Sequence, residues 1–572
     1  MLLMEEKKLA GYPSVDKPWL KYYTDEAINA KIPECTIYQN IYNHNKDYPN
    51  DAALLFFGKK ISYKKLFAEV EKVEKAFIAQ GVKRGDNVAL CVPATPEAIY
   101  TILALNKIGA NANMLNPTFT EQQLTDRINE TDASVMFVVN ELYSRVEKII
   151  PNTCIKTVIT CAAVNSLGPI VKLIKQAKNI PNTLSWGKFL ASGRNASTSA
   201  DVSYQENVPA IMVYSSGTTG ASKGIQLTNN SINATITQYE YTGFKLARQD
   251  RYFAQIPIWF STGICVTMLV PLCLGVTVIL EPIYDFEIFY QHISKYKPNF
   301  MVTAVGLVDY LRNKKEIDPA YKEFKYLVIG GEYVVPHAES VFNEWLKKNG
   351  SESQLHKGYG MCECGGTITS TNAVSNKFGT AGIPMAQVVV SAFDLETGEE
   401  LTYGNRGELR VLSPCKMSGY YKHPEATAKY FKTDEQGRTW ACTGDMGYIE
   451  EDGNVYVDGR ISDSYVNEQG ETIYLFDIER AILDVEAVRQ CKTVVSEIDG
   501  KPTHVAHAVF FNDKGTTEEV ISQIQTICKA KLPENHYPHL YKLHEDALPV
   551  SPSGKLNIVA MKQDTENLIH VE

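Results

Sequence analysis

The chain has 572 residues, enough for several domains with large cores, and its 44% hydrophobic and 22% charged content is that of an ordinary globular protein. With 57 Lys and Arg against 66 Asp and Glu, a formal net charge of -9, it has no basic footprint, which excludes nucleic acid as an expected partner. Its 12 cysteines include no CxxC pair, and the opening MLLMEEKKLAGYPS soon turns charged instead of continuing as a secretory leader, so a reduced, cytoplasmic setting is expected.

From Ile61 helical and strand patterns alternate: ISYKKLFAEVEKVEKAFIAQG has helical spacing, NVALCV reads as a strand, and PEAIYTILALNKIG as another helix. Such alternation predicts an α/β sheet with helices on its faces. Residues 163–206 are polar, locally basic and irregular, and read as an excursion. Within them GPIVKLIKQAK, 168–178, has the basic and apolar mixture of an interfacial helix, which would give peripheral membrane contact; solvated helices share that mixture.

Ile211 to Tyr214 form an apolar run that leads like a buried strand into SSGTTGASKG, and the mixed polar segment after Lys223 reads as a helix start. Glycines let backbone N–H groups turn toward a ligand, hydroxyls add donors and a lysine adds a mobile charge, so the loop suits a polyphosphate. A flexible surface turn is the plainer reading. A Walker loop is excluded because Lys223 stands between Ser222 and Gly224.

No charged residue lies between Arg251 and Glu281, and TGICVTMLVPLCLGVTVIL is as long as a membrane span. Pro271 divides it, Gly275 follows and VTVIL is β-branched, so the run predicts a core helix followed by a buried strand. Past residue 400 short strands and turns take over, and DGRISDS, 458–464, is the strongest boundary. Beyond it TVVSEI and HVAHAVFF read as strands and TEEVISQIQTICKAKL as a helix. The expected division is a large domain, 1–459, and a small α/β domain, 460–572, with a hinge near 460–463 and a cleft between them.

Three more segments could serve chemistry: YGMCE at 359–363, TGD at 443–445 and LPVSPSGK at 548–555. Singly each has an ordinary reading as a cap, a turn or an exposed lysine. Cys362 and Cys364 lack the further ligands a zinc site needs.

Together and in this order, the motifs resemble those of the adenylate-forming superfamily of acyl-CoA synthetases, luciferases and nonribosomal peptide synthetase adenylation domains, over nearly the whole chain. SSGTTGASKG is similar to its phosphate loop, with Ser222 where proline is usual; YGMCE is similar to its Tyr-Gly-x-Thr-Glu turn, with Cys362 for threonine. GVKRGDNVALCVPATPEAIYTILALNKIGANANMLNP and GELRVLSPCKMSGYYKHPEAT agree, and PWLKYY at 18–23 resembles the start of fatty acyl-CoA ligases in particular.

The resemblance implies a large multi-subdomain N-terminal domain that binds ATP and the acid, and a small mobile C-terminal domain. It implies a two-step reaction: a carboxylate attacks the α-phosphate of Mg-ATP to give an acyl-adenylate and pyrophosphate, then coenzyme A takes the acyl group and AMP leaves. Ser215, Ser216, Gly217, Thr218, Thr219, Gly220 and Lys223 would hold the β and γ phosphates, and Glu363 the Mg2+. Gly330, Gly331 and Glu332 would line the adenine, Tyr359 and Gly360 lie against it, Asp445 accept from the ribose, and Arg460 reach toward it. The catalytic roles fall to Lys555, Glu363 and Thr219, with Lys555 bridging carboxylate and α-phosphate as negative charge builds.

The same resemblance puts Trp259, Phe260, Gly263, Val305 and Gly306 in the acyl pocket, the two glycines leaving room for a long or bulky chain. Phe260 stands where many acyl-CoA ligases carry histidine, so a hydrophobic acid, a medium- or long-chain fatty acid among them, is expected. Ser462 stands where aspartate or lysine is usual at the hinge, and VNEQG is one residue longer than usual, which leaves open a second acceptor other than coenzyme A. An enzyme that loads a separate carrier protein, a light-producing oxidation of the adenylate, and a non-catalytic nucleotide-binding protein are the alternatives. Oligomeric state is not legible.

Overall fold

A computed structural model of the chain describes residues 9–163, 165–167, 180–198, 203–215, 222–314, 318–467, 469–510, 514–545, 548–549 and 556–571. The chain forms two compact units: Met1–Ser391 with Arg410–Cys442 and Ile449–Val455, and Ala392–Leu409 with Thr443–Tyr448 and Tyr456–Glu572. The divisions fall inside the strands Val389–Phe393, Gly407–Leu412 and Thr439–Ile449, and residues 460–463 belong to the second unit.

The first unit is α/β. The alternating stretch after Ile61 becomes the helix Tyr63–Ala79, the strand Asn87–Cys91 and the helix Pro96–Ile108. Ser62 and Thr95 cap the two helices by accepting from Lys65 N and Ala98 N, and Gly109, at φ 80°, ends the second in the left-handed region. The second helix is buried almost all round, as the apolar run Ile99–Leu105, interrupted only by Thr101, requires. Asn87–Cys91 lies between the parallel strands Asn111–Met114 and Val135–Val139 in a sheet of eight strands among the described residues. Pro209–Tyr214 joins that sheet beside Asn111–Met114.

The segment after Lys223 corrects the helix expected there. Gly224–Thr228 is a strand, antiparallel to Pro209–Tyr214, in which Ile225 and Leu227 are buried; the helix Asn229–Glu240 starts only after Thr228 and Ser231 close a capping box. The residues that flank the phosphate-type segment are therefore the facing ends of two antiparallel strands.

Six parallel strands form the centre of a second sheet, nine-stranded among the described residues, in the order Ala52–Phe56, Thr277–Leu280, Arg251–Ala254, Phe300–Thr303, Tyr326–Gly330 and Leu355–Tyr359. The uncharged run supplies one of these strands together with the π-helix Thr262–Leu269 and the short helix Val270–Cys273, which are fully buried from Gly263 on. This matches the expected core helix and strand, and among the described residues no helix is long and apolar enough to cross a membrane.

Residues 168–178 lie outside the described residues. The described end of the expected excursion is a docked helix, Trp186–Ser192: Trp186 and Phe189 are buried, with the Phe189 ring 4.8 Å from Phe77. Gly193 fits only without a side chain, since a Cβ there would stand 2.4 Å from Ala76 N. In the second unit Val488–Ile498 pairs with Lys501–Phe510, and Ile478, Ile482, Val520, Ile524 and Tyr541 share one core. The expected strands and helix after residue 490 are all present, the helix as Thr517–Lys531.

A buried ion pair ties the strand Leu355–Tyr359 to the helix Pro336–Lys348. Lys357 Nζ pairs with Glu339, whose side chain is 0% exposed, and also donates to the Lys377 carbonyl at 3.2 Å. Removing one partner of such a pair strands the other charge. Glu339→Gln is expected to cost about 3 kcal/mol or more in a denaturant titration. Next to this lysine, His356 is held neutral by burial and then by the Lys357 charge, its pKa pushed down to about 4. The unfolded imidazole titrates near pH 6.5 and takes up its proton first, so the stability present above about pH 6.5 is lost as the pH falls toward 4. His356→Asn should flatten that loss, read as urea midpoints against pH.

Candidate active site

The segment between the two antiparallel strands is closed at its neck by three residues that bracket it, Ser215, Ser222 and Lys223. Ser215 N donates to the Lys223 carbonyl at 3.1 Å, Lys223 N donates to Ser215 Oγ at 3.1 Å, and Ser222 Oγ donates to the Ser215 carbonyl at 2.5 Å. Ser222, the departure from proline, thus bonds across the neck. Ser216, Gly217, Thr218, Thr219 and Gly220 lie outside the described residues. Lys223 Nζ stands 5.7 Å from the centre of the Tyr420 ring. Tyr420 is brought there by a short edge strand, Gly419–Tyr420, paired antiparallel to Gly224–Thr228 so that Tyr420 faces Ile225.

Tyr420 links the loop to the YGMCE turn. Its Oη donates to Glu363 Oε1 at 2.9 Å across 57 residues of sequence, and Met417 N donates to the Glu363 carbonyl at 2.7 Å. Burial, followed by the Glu363 charge, pushes the Tyr420 phenol well above its ordinary range, so it stays a donor. Sequence reasoning picked out Glu363 but missed Tyr420, although GYYKHPEAT was noted as a strand and turn; the signal lay in the tyrosine itself, a donor placed in a short strand. Glu363 sits in the short helix Cys362–Cys364, half-buried, directly after the strand that ends in Tyr359. Gly360 is required there by sterics, since a Cβ would stand 1.9 Å from the Gly366 carbonyl oxygen.

Gly330 and Gly358 are register partners on adjacent strands, which brings Gly330 and Gly331 beside Tyr359 at the carboxyl ends of the parallel sheet, where ligands bind in open α/β folds. Gly331 has φ 81° and open space around it, and Glu332 is exposed, its Oε2 accepting from Val305 N at 3.2 Å. The adenine-edge and acyl-pocket expectations thus meet at one contact, Glu332 to Val305.

Trp259 and Phe260 are half-buried with ring centres 6.2 Å apart. Val305 opens the helix Val305–Arg312 and packs against the sheet's core. Gly306 is exposed, and a side chain there would make an ordinary 3.7 Å contact with Phe286. Gly263 corrects the sequence reading: it is buried, and a Cβ would stand 2.0 Å from the Pro257 carbonyl oxygen, so its missing side chain is filled by backbone and leaves no room for substrate.

In the second unit, Asp445 is 4% exposed and its Oδ1 pairs with Arg460 Nε at 3.0 Å. Asp445 N donates to Thr443 Oγ1 at 3.0 Å, and Arg460 Nη1 to the Thr443 carbonyl at 3.0 Å, so strand and arginine fix the carboxylate together. Ser462 is exposed in the turn that follows, which Asp463 N closes on the Arg460 carbonyl at 2.9 Å. Lys492 bridges Asp463 at 2.9 Å and Glu479 at 3.0 Å. Lys555 lies outside the described residues.

The family model described as AMP-binding enzyme matches residues 41–421. A long-chain-fatty-acid–CoA ligase of Bacillus subtilis (strain 168) is 24% identical over 96% of this chain and 99% of its own length. One from Yersinia pestis is 26% identical over 95% of this chain and 97% of its own. Among solved structures, a benzoate CoA ligase from Burkholderia xenovorans LB400 superposes with a TM-score of 0.78 at 16% identity, over 92% of this chain and 99% of that one.

The two glycines expected in the acyl pocket should respond differently to alanine. Gly263→Ala is expected to lower the melting temperature by several degrees or to prevent folding, as a clash with backbone costs about 1 to 3 kcal/mol or more. Gly306→Ala should leave the melting temperature within about a degree, since its new methyl meets only ordinary contact distances.

Proposed function

Since the chain belongs to the AMP-binding enzyme family, we propose that it is an AMP-forming acid–thiol ligase. It activates a hydrophobic carboxylic acid with ATP and passes the acyl group to coenzyme A. The observation that carries this reading is the contact of Lys223, Tyr420 and Glu363, all inside the matched residues: one cation beside the phosphate loop and one carboxylate held by a neutral donor. Attack at the α-phosphate needs the triphosphate charge neutralised and the reactants held in line, which is a matter of positioning and electrostatics.

Lys223 supplies charge toward the β and γ phosphates from a neck that hydrogen bonds hold shut. Glu363 fits magnesium, a hard cation that takes oxygen ligands and keeps several waters. Its carboxylate is half-buried, and among the described residues no group of three His, Cys, Asp or Glu is placed to bind a metal; Glu363 would hold the ion together with nucleotide phosphates and water. When bound, the ion offsets charge on the phosphates. Tyr359 and the Gly330–Gly331 edge take the adenine. Asp445, oriented by Arg460 and Thr443, accepts from the ribose hydroxyls. Lys555 bridges the carboxylate and the α-phosphate and is withdrawn, by rotation of residues 460–572 about a hinge at 460–463, before the thiol reacts.

The acid is a medium- or long-chain fatty acid. Trp259 and Phe260 make an aromatic, uncharged entrance, and the relatives from Bacillus subtilis and Yersinia pestis are named for long-chain substrates.

The purified protein should be incubated with ATP, magnesium and a panel of carboxylic acids, with and without coenzyme A, and its products identified by mass spectrometry. Acyl-CoA from the longer fatty acids is expected. Lys555→Ala should slow adenylate formation several-hundred-fold, about 3 to 4 kcal/mol of transition-state stabilisation. Adenylate that accumulates despite coenzyme A would redirect the second step to a carrier-protein thiol, and no product from any acid would leave a nucleotide-binding protein.

A further inference from the structure

Arg127, in the helix Glu121–Glu130, is 6% exposed and lies behind the neck of the phosphate loop. Its guanidinium sits 4.6 Å from the Phe119 ring centre and 5.2 Å from that of Tyr214, and those two rings meet edge-on at 6.0 Å. Nη1 donates to the Gln123 carbonyl at 2.9 Å and Nη2 to the Ser222 carbonyl at 3.1 Å, while Nε has no acceptor among the described residues. Both of these hydrogen bonds end on backbone carbonyls. Glu130 and Asp126 offset the charge only through space.

Burying a guanidinium without a bonded carboxylate is costly, and such an arrangement is kept where the charge or the donor fork has a task. The fork here reaches one residue before Lys223 and grips the carbonyl of the residue whose hydroxyl already bonds across the neck. Ser222 is thus held from both sides, by Arg127 at its carbonyl and by Ser215 at its hydroxyl. A proline at this position would restrict the backbone by its ring alone.

We propose that Arg127 is a positioning residue for the nucleotide polyphosphate: through the Ser222 carbonyl it fixes the neck from which Lys223 projects, and its buried charge favours a bound triphosphate. The proposal rests on the adenylate-forming reading and concerns the β and γ phosphates, so it makes a distinction between nucleotides. ATP binding depends on Arg127; AMP binding, which uses the adenine and ribose contacts, does not.

The test is titration calorimetry of Mg-ATP and of AMP against the full-length protein and the variants Arg127→Met, Arg127→Lys, Ser222→Pro and Arg127→Met/Ser222→Pro. Loss of a charge-assisted hydrogen bond should weaken Mg-ATP about tenfold in Arg127→Met and leave AMP within about twofold. Arg127→Lys, which keeps the charge and loses the fork, should lie between and serves if the methionine variant does not fold. Proline at 222 should restore most of the lost ATP affinity in the double variant. Unchanged ATP binding, or equal losses for ATP and AMP, would overturn the proposal. A wild-type protein that binds neither nucleotide would overturn the family reading and this inference with it.

Discussion

The hydrogen bonds that join Ser215 to Ser222 and Lys223 decide where a cation stands in this molecule. They convert two antiparallel strands, Pro209–Tyr214 and Gly224–Thr228, into a rigid stem for a glycine-rich loop. Because Pro209–Tyr214 is also a parallel neighbour of Asn111–Met114, the stem inherits the position of a buried sheet.

The same stem carries the edge strand Gly419–Tyr420, and through it the second half of the charge arrangement. One side chain, Tyr420, touches the surroundings of Lys223 with its ring and Glu363 with its hydroxyl. The cation and the carboxylate are therefore set by one ring rather than by two independent loops. That economy suits phosphoryl chemistry, in which the relative placement of positive groups and metal ligand matters more than the strength of either.

Much of the fold could be read from the sequence because it is written locally. Ser62 and Thr95 cap helices whose apolar spacing is regular, and the uncharged run around Pro271 separates into helix and strand by composition. The strand Gly224–Thr228 was harder, since five residues beginning with glycine offer little periodicity and it is pairing with Pro209–Tyr214 that makes them extended. The Tyr420–Glu363 bond joins residues 57 apart, and no local pattern encodes it. Gly263 misled for a different reason: absence of a side chain looks the same in sequence whether a ligand or the Pro257 carbonyl fills the space. The motif residues 216–220 and 555, although plain in the sequence, are not among those the structure describes.

Lys492 has a mechanical consequence. Its side chain is 15% exposed and is shared by Asp463 and Glu479, so the turn after Arg460 is soldered to the strand Val488–Ile498 and to the helix Leu475–Leu483. A displacement that pulled Asp463 away would strip a mostly buried ammonium of one of its two counter-charges. The turn is also held by its backbone, with Ile461 N donating to the Gly444 carbonyl and Asp463 N to the Arg460 carbonyl, both at 2.9 Å, so the connection is braced on both sides of the exposed Ser462.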